Sequence, residues 1–332
     1  MRRAVVSTVV FGAAVMVAAT AFGWGFGTHA YVAGEIGKRG GDPNLNEVYG
    51  STLPDLFNYA FEADCDYDAL YAVTHDTDFM DVYDTKNRGL EKWIAAGVVM
   101  HNQPFGIDHT AHIMSAVNGW PGGYVNLKAE VMNAYLISPG IPGVYPLQDV
   151  LLSMGIVPDP DTVHQLYHTI IEYSADLLLK EAAPWVGPTL LASANFWSYD
   201  EPFPLVLADA FANEVAGVCG PGIGDPEVFI ATTEIFHRNV VTNEALLLTI
   251  ADPGEALWAT ALHLATFGMG YLGMPYDPTD PYSQAIHDQF AALSSGYMQV
   301  AMGYFLGDYF AELDATVDLV QQNMVDYGVI RK

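Results

Sequence analysis

Positive charge is scarce in this chain: 12 Lys and Arg stand against 39 Asp and Glu, for a formal net charge of −27. So acidic a surface repels polyanions, which excludes a protein that tracks nucleic acid or holds strongly anionic membranes by charge. Cysteine is almost absent as well. Cys65 and Cys219 permit at most one disulfide, and two free buried thiols are the other reading. Strand-like alternation is sparse, and internal repeats and low-complexity tracts are missing, so neither an all-β fold nor a solenoid fits.

What is present begins with the leader. Met1-Arg2-Arg3 opens an apolar run from Ala4 to about Ala21, closed by Ala21-Phe22-Gly23. A basic start, an apolar stretch and small residues at the −3 and −1 positions predict a secretory signal peptide over 1–23, cut after Gly23. The expected location is secreted or periplasmic, with Trp24 as the mature N-terminus.

Beyond the leader the patterning is helical, and the fold class is all-α. Helices are expected over 28–38, 90–101, 107–117 and 162–180, the last with Asp161 as its N-cap. A Pro- and Gly-rich stretch, 184–226, reads as a connection between a first helical unit, 24–183, and a C-terminal half, 184–332. That half carries helical patterns at 227–236, 255–269 and 282–324. The stretch 256–272 is apolar but contains Thr260, His263 and two glycines, so it reads as a buried core helix rather than a membrane span.

The chemistry lies in an uneven distribution of histidine. Seven of the ten fall between His29 and His168: His29, His75, His101, His109, His112, His164 and His168. Such sets of imidazoles and carboxylates are what metal sites are built from. On one continuous helix His101, Asp108 and His112 would fall within about 20° of a line. Pro104 interrupts it, so the geometry is firm only for Asp108 and His112. His109 points about 100° away and reads as a supporting or surface residue. His164, His168 and Glu172 are spaced by four and share a helix face; a solvated polar face would show the same pattern. Asp55 in Pro54-Asp55 and His75 carry little signal alone.

Taken in order, these residues resemble the bacterial zinc-dependent phospholipase C family and the N-terminal domain of glycosylphosphatidylinositol phospholipase D. The likeness runs from Trp24-Gly25-Phe26-Gly27-Thr28-His29 through Gly50…Pro54-Asp55, His75, Gly97-Val98-Val99-Met100-His101 and Asp108-x3-His112 to His168-x3-Glu172. The resemblance implies a multi-helix bundle, like that of the phospholipases and the related fungal single-strand nucleases, around up to three Zn²⁺. Asp55, His75, His101 and Asp108 would hold the first ion. His112, His168 and Glu172 would hold the second. Trp24, through its amino nitrogen and carbonyl oxygen, would hold the third with His29 and Asp108. His101 departs from the family spacing, standing seven residues before Asp108 rather than four, and His164 is an alternative to His168.

The implied activity is that of a phosphoric diester hydrolase that attacks with a zinc-bound hydroxide, with Asp55 doubling as the catalytic base. The substrate would be a phospholipid or small phosphoester, with peripheral membrane contact and no nucleic acid. Phe26, Phe57, Tyr59, Phe61, Tyr71 and Phe105 would line a headgroup pocket or belong to the core. Three other readings stand beside this one: a single-strand nuclease-like zinc enzyme, a non-catalytic exported metal-binding protein, and a phosphohydrolase built on His75-Asp76 and His287-Asp288. The acidic stretches 62–68 and 277–280 lack the EF-hand pattern and read as solvated loops.

Overall fold

A computed structural model describes residues 24–38, 40–59, 65–76, 79–85, 89–196 and 206–330. The expected signal peptide, Phe61 and residues 62–64 of the first acidic stretch lie outside them. The described residues form α-helices joined by short turns, with two isolated bridges and no strand among them. The helices are α1 (Phe26–Ile36), α2 (Leu45–Gly50), α3 (Tyr67–His75), α4 (Asp81–Thr85), α5 (Glu91–His101), α6 (Tyr124–Ile137) and α7 (Leu147–Ser153). They continue as α8 (Pro160–Ala182), α9 (Val186–Ala194), α10 (Val206–Cys219), α11 (Pro226–Thr249), α12 (Pro253–Tyr271), α13 (Pro281–Val300) and α14 (Tyr309–Asp326).

Four of the longest helices start the same way. Asp159, Asp225, Asp252 and Asp280 each accept a backbone N–H from the first turn, and a proline follows each at the first helical position. The aspartate satisfies an otherwise orphaned donor, while proline has no N–H to lose there and a φ already set for helix. The cap of α8 is therefore Asp159 and not Asp161: Pro160 already has helical φ, so Asp161 lies inside the first turn.

Three other expectations are corrected. The stretch 107–117 is not one helix; it holds a five-residue π-helical turn, His109–Ile113, followed by a hairpin loop in which Met114 faces Pro121. The stretch 184–226 is no mere connection, since it carries α9 and α10. The run 282–324 breaks into α13, a π-helical turn Ala301–Phe305 and α14. The apolar stretch 256–272 does pack in the core as α12, and no helix among the described residues is long and apolar enough to cross a membrane.

One contiguous apolar core runs from Trp24 to Val329 and takes side chains from both halves of the chain. Cys65, just before α3, and Cys219, at the end of α10, form a disulfide with Cα atoms 4.3 Å apart. Helices α2 and α5 cross with their backbones in contact. A Cβ on Gly97 would lie 2.3 Å from the Glu47 carbonyl, and one on Gly50 would lie 2.2 Å from that of Ile94.

Candidate metal centre

All eight side chains expected as ligands converge in the interior. They form three neighbouring groups: His29, Asp55 and His101; His75, His101 and Asp108; and His112, His168 and Glu172. Each is at most 6% exposed. The third group matches the expected trio, whereas the first two share His101, so that His29 sits beside Asp55 as well as Asp108. Asp108 is central: its oxygens lie 3.6 Å from His101 Nε2 and His112 Nδ1, and 3.9 Å from His29 and His75 Nε2.

Local structure explains how His101 and Asp108 meet despite the long spacing. Helix α5 ends at His101, and Asn102 folds the chain back: its Oδ1 accepts the Phe105 and Gly106 amides, while its Nδ2 donates to the Val99 carbonyl. A Cβ on Gly106 would lie 2.4 Å from the Met100 carbonyl, so this reversal requires glycine. The extra residues are thus absorbed in a tight loop. Gly123, at φ +73°, presses on the other side of the ligand turn, where a Cβ would meet Ala111 and His112 backbone at 2.3 Å.

The orientation of the rings carries the argument for a cation. His101 Nδ1 lies 2.7 Å from the Ser51 carbonyl, which can only accept, so that nitrogen carries the proton. His75 Nδ1 is placed likewise, 3.1 Å from the Tyr71 carbonyl and 2.9 Å from the Thr74 hydroxyl. Both Nε2 atoms then present bare lone pairs, only 3.0 Å apart. Two lone pairs face each other that closely only with a positive charge between them. Two nitrogens on one tetrahedral zinc, at about 2.0–2.1 Å each, would stand about 3.3 Å apart. His112 and His168 also approach to 3.0 Å through Nε2.

Burial strengthens the point. Both nitrogens of His29, Asp55 Oδ2, Asp108 Oδ1, His168 Nδ1 and Glu172 Oε1 are buried without a hydrogen-bond partner. Unmatched buried polar atoms are costly, and a bound cation is what would satisfy this set. Desolvation holds His29, His101 and His168 below their ordinary range and His75 down to about 4, which disfavours their protonated forms and leaves lone pairs to donate to a metal. Burial pushes Asp55 up to about 7 and Glu172 well above the usual carboxylate range. For Asp108 burial acts in the same sense, but the converging rings, His101 and His112 foremost, outweigh it and hold the carboxylate low. The donor set, imidazole nitrogen with carboxylate oxygen, suits a borderline divalent ion.

Several residues support the cluster in roles that carry too little sequence signal to assign. The Tyr71 hydroxyl donates to Asp108 Oδ2 at 3.0 Å, receives from Gln103 Nε2 and its ring stacks on His75. Asn58 Nδ2 donates to Asp55 Oδ1. Asp176, one turn beyond Glu172 on α8, accepts the Gly27 and Thr28 amides and the Thr28 hydroxyl. It caps α1 from across the fold and so fixes His29 relative to Glu172. A Cβ on Gly25 or Gly27 would lie 2.5 and 2.7 Å from the Asp176 carboxylate, which explains both glycines of the Trp-Gly-Phe-Gly segment. Continuing the four-residue spacing of His164, His168 and Glu172 by one step would have pointed to Asp176.

The C-terminal half is the brace of the site. Along one face of α14, Tyr309 bonds Thr28, Glu312 bonds the loop at 115–117, Thr316 bonds Thr110 and Asn323 bonds the Phe105 carbonyl. Trp24 joins this brace through its side chain: the buried indole donates to Thr110 and stacks on Tyr124. Of the remaining histidines, His164 is half-buried and pairs with Asn126, so His168 is the one in the group. His109 Nδ1 donates to the Gln103 carbonyl outside the cluster. His287 bonds Thr266 and stacks on Tyr276, away from the three groups, so it forms no site with His75-Asp76. Phe26, Phe57 and Phe105 are core residues; the Tyr59 side chain, like Phe61, lies outside the described residues, and among the expected pocket aromatics that are described only Tyr71 touches a ligand.

Comparison of the chain with protein-family models, with curated proteins and with solved structures finds no match in any of the three.

Proposed function

We propose that the chain is an exported zinc-dependent phosphodiesterase of the phospholipase C type, acting on a phospholipid or a small phosphoester. The observation that carries this reading is the pair of bare Nε2 lone pairs of His75 and His101, 3.0 Å apart beside the buried carboxylates of Asp55 and Asp108. His29, Asp55, His75, His101, Asp108, His112, His168 and Glu172 would hold the ions, with the amino nitrogen and carbonyl of a processed Trp24. Bound zinc supplies Lewis acidity and lowers the pKa of a coordinated water to about 7.

The protein's own residues divide the remaining work. Asp55 keeps Oδ2 open while Asn58 occupies Oδ1, so one carboxylate oxygen can take a proton from the attacking water. Tyr71 holds Asp108 in orientation through its hydroxyl. With 12 basic residues against 39 acidic ones, the chain offers little to a polyanion, which favours a zwitterionic or small ester over a nucleic acid.

The test is metal content together with phosphodiesterase assays. The protein starting at Trp24 should hold close to three zinc ions and hydrolyse a soluble choline phosphodiester. A version retaining Gly23 has an amide in place of the free amine and should hold about one ion fewer. Cleavage of single-stranded DNA with no ester turnover would favour the nuclease reading. Metal without any turnover would leave a binding protein.

A further inference from the structure

Helix α6 breaks the rule that a surface helix is polar on its outer face. Its inner face, Val125, Ala129, Met132 and Leu136, is packed in the core. Its outer face exposes Val131, Tyr135 and Ile137, the last 63% exposed. Its polar side chains are Asn126, Lys128, Glu130 and Asn133, so apolar groups share the solvent side of a helix whose other face is already buried. The loop that precedes it exposes Met114, Val117 and Trp120. This loop starts two residues after His112 and is clamped: buried Glu312 accepts from Ser115 Oγ and from the Ala116 and Val117 amides. Its apolar side chains are therefore held outward.

Charge selects the occupant. From 113 to 148 only Lys128 and Glu130 are charged, two of thirty-six residues in a chain that is 15% charged. Lys128 is bound to Asp308 and lies over the Tyr124 ring, which leaves Glu130 as the exposed charge of the segment. A second copy of a chain carrying −27 would be repelled at long range, and so would an anionic membrane. A neutral bilayer surface meets neither obstacle, and Trp and Tyr beside aliphatic side chains suit its headgroup boundary.

We propose that the 114–120 loop and the outer face of α6 form a docking surface for a zwitterionic lipid surface, seating the chain with its metal centre next to the headgroups. The proposal rests on the phospholipase reading for its choice of lipid, but its test does not depend on turnover. The metal-loaded protein is sedimented with unilamellar phosphatidylcholine vesicles, and Trp fluorescence is followed in parallel. Wild type should cosediment with a blue shift, and more weakly with vesicles containing phosphatidylserine.

The triple variant Val117→Ser, Trp120→Ser, Tyr135→Ser should partition about tenfold less or lower still, with its helical circular dichroism unchanged. The single variant Trp120→Phe should keep binding but lose most of the blue shift, which guards against a misfolded triple variant. Wild type that ignores phosphatidylcholine, or binds it as well as the triple variant does, overturns the proposal. So does concentration-dependent dimerisation that the triple variant abolishes. Vesicle binding without ester hydrolysis would leave the surface standing and the activity refuted; hydrolysis of a soluble ester without vesicle binding would do the reverse.

Discussion

Among single residues, the supports of the cluster are as informative as its ligands. Tyr71→Phe keeps the ring that stacks on His75 and removes only the bond to Asp108. Loss of such an outer partner lowers metal affinity by about 10- to 100-fold in well-studied sites, and a chelator-competition titration should find a drop in that range. Unchanged affinity would mean that Asp108 is fixed without Tyr71. The titratable groups give a second expectation, for the metal-free protein. Burial raises Asp55, Asp176 and Glu234 to about 7, so folding favours their neutral forms and that stability is lost as pH rises through 7. The buried histidines are shifted downward and oppose this until the unfolded imidazoles, near 6.5, have lost their protons. Above about pH 7, where the unfolded imidazoles have largely lost their protons, the carboxyls dominate, and from there to pH 8 the thermal midpoint of the apo protein should fall. With zinc present the sign should reverse for Asp55, because the ion replaces its proton. A midpoint that climbs across that window without metal would contradict these assignments. The ligands were legible in the sequence because imidazoles and carboxylates are rare enough to stand out. The roles of Asn58 and Ser51 were not, since each acts through a hydrogen bond that only the folded chain creates, and Tyr71 stood out as an aromatic but not as the partner of Asp108.

The helices themselves were legible where periodicity ran long and lost where the backbone leaves regular geometry. Helix α8 could be read from its pattern, but its Asp-Pro start sets the true boundary two residues earlier than an Asp161 cap would. The π-helical turn at 109–113 could not be read, because it differs from an α-helix only in a hydrogen-bond register that no residue type encodes. The crossing of α2 and α5 was equally silent, since a glycine in a helical pattern does not say which neighbour touches it. It now supports a contrast. Gly97→Ala would place a methyl 2.3 Å from the Glu47 carbonyl and prise the helices apart, displacing the Ser51 carbonyl that fixes His101. Overpacking of this kind costs about 1–3 kcal/mol, and metal content should fall with it. Gly217→Ala on α10 meets nothing within 4 Å and should instead stabilise by about 0.5–1 kcal/mol. Equal effects of the two variants in thermal melts and zinc analysis would show that the close crossing is unimportant.

At the scale of the whole molecule, the sequence suggested a catalytic first unit and a second half whose role it did not reveal. In the folded chain that half holds the site in place: α14 reaches Thr28, Thr110, Phe105 and the 115–117 loop, so the ligand-bearing turns are tied down from residues 195 to 281 positions away in sequence. The core is continuous across both halves, and the disulfide spans 154 residues between them. Long-range ties of this density make the two halves one cooperative unit. Scanning calorimetry should therefore show a single transition that moves intact when either half is perturbed. Added zinc, bound wholly by the first half, should raise it by about 1.4 kcal/mol per tenfold free metal for each ion. Replacing Cys65 and Cys219 by serine should lower it by about 2–5 kcal/mol. The fragment 24–183, stripped of α14, should bind zinc poorly and lack a cooperative melt. If zinc or the disulfide shifted only one of two resolved transitions, the first half would be a self-sufficient domain and the bracing role of α14 would fail with it.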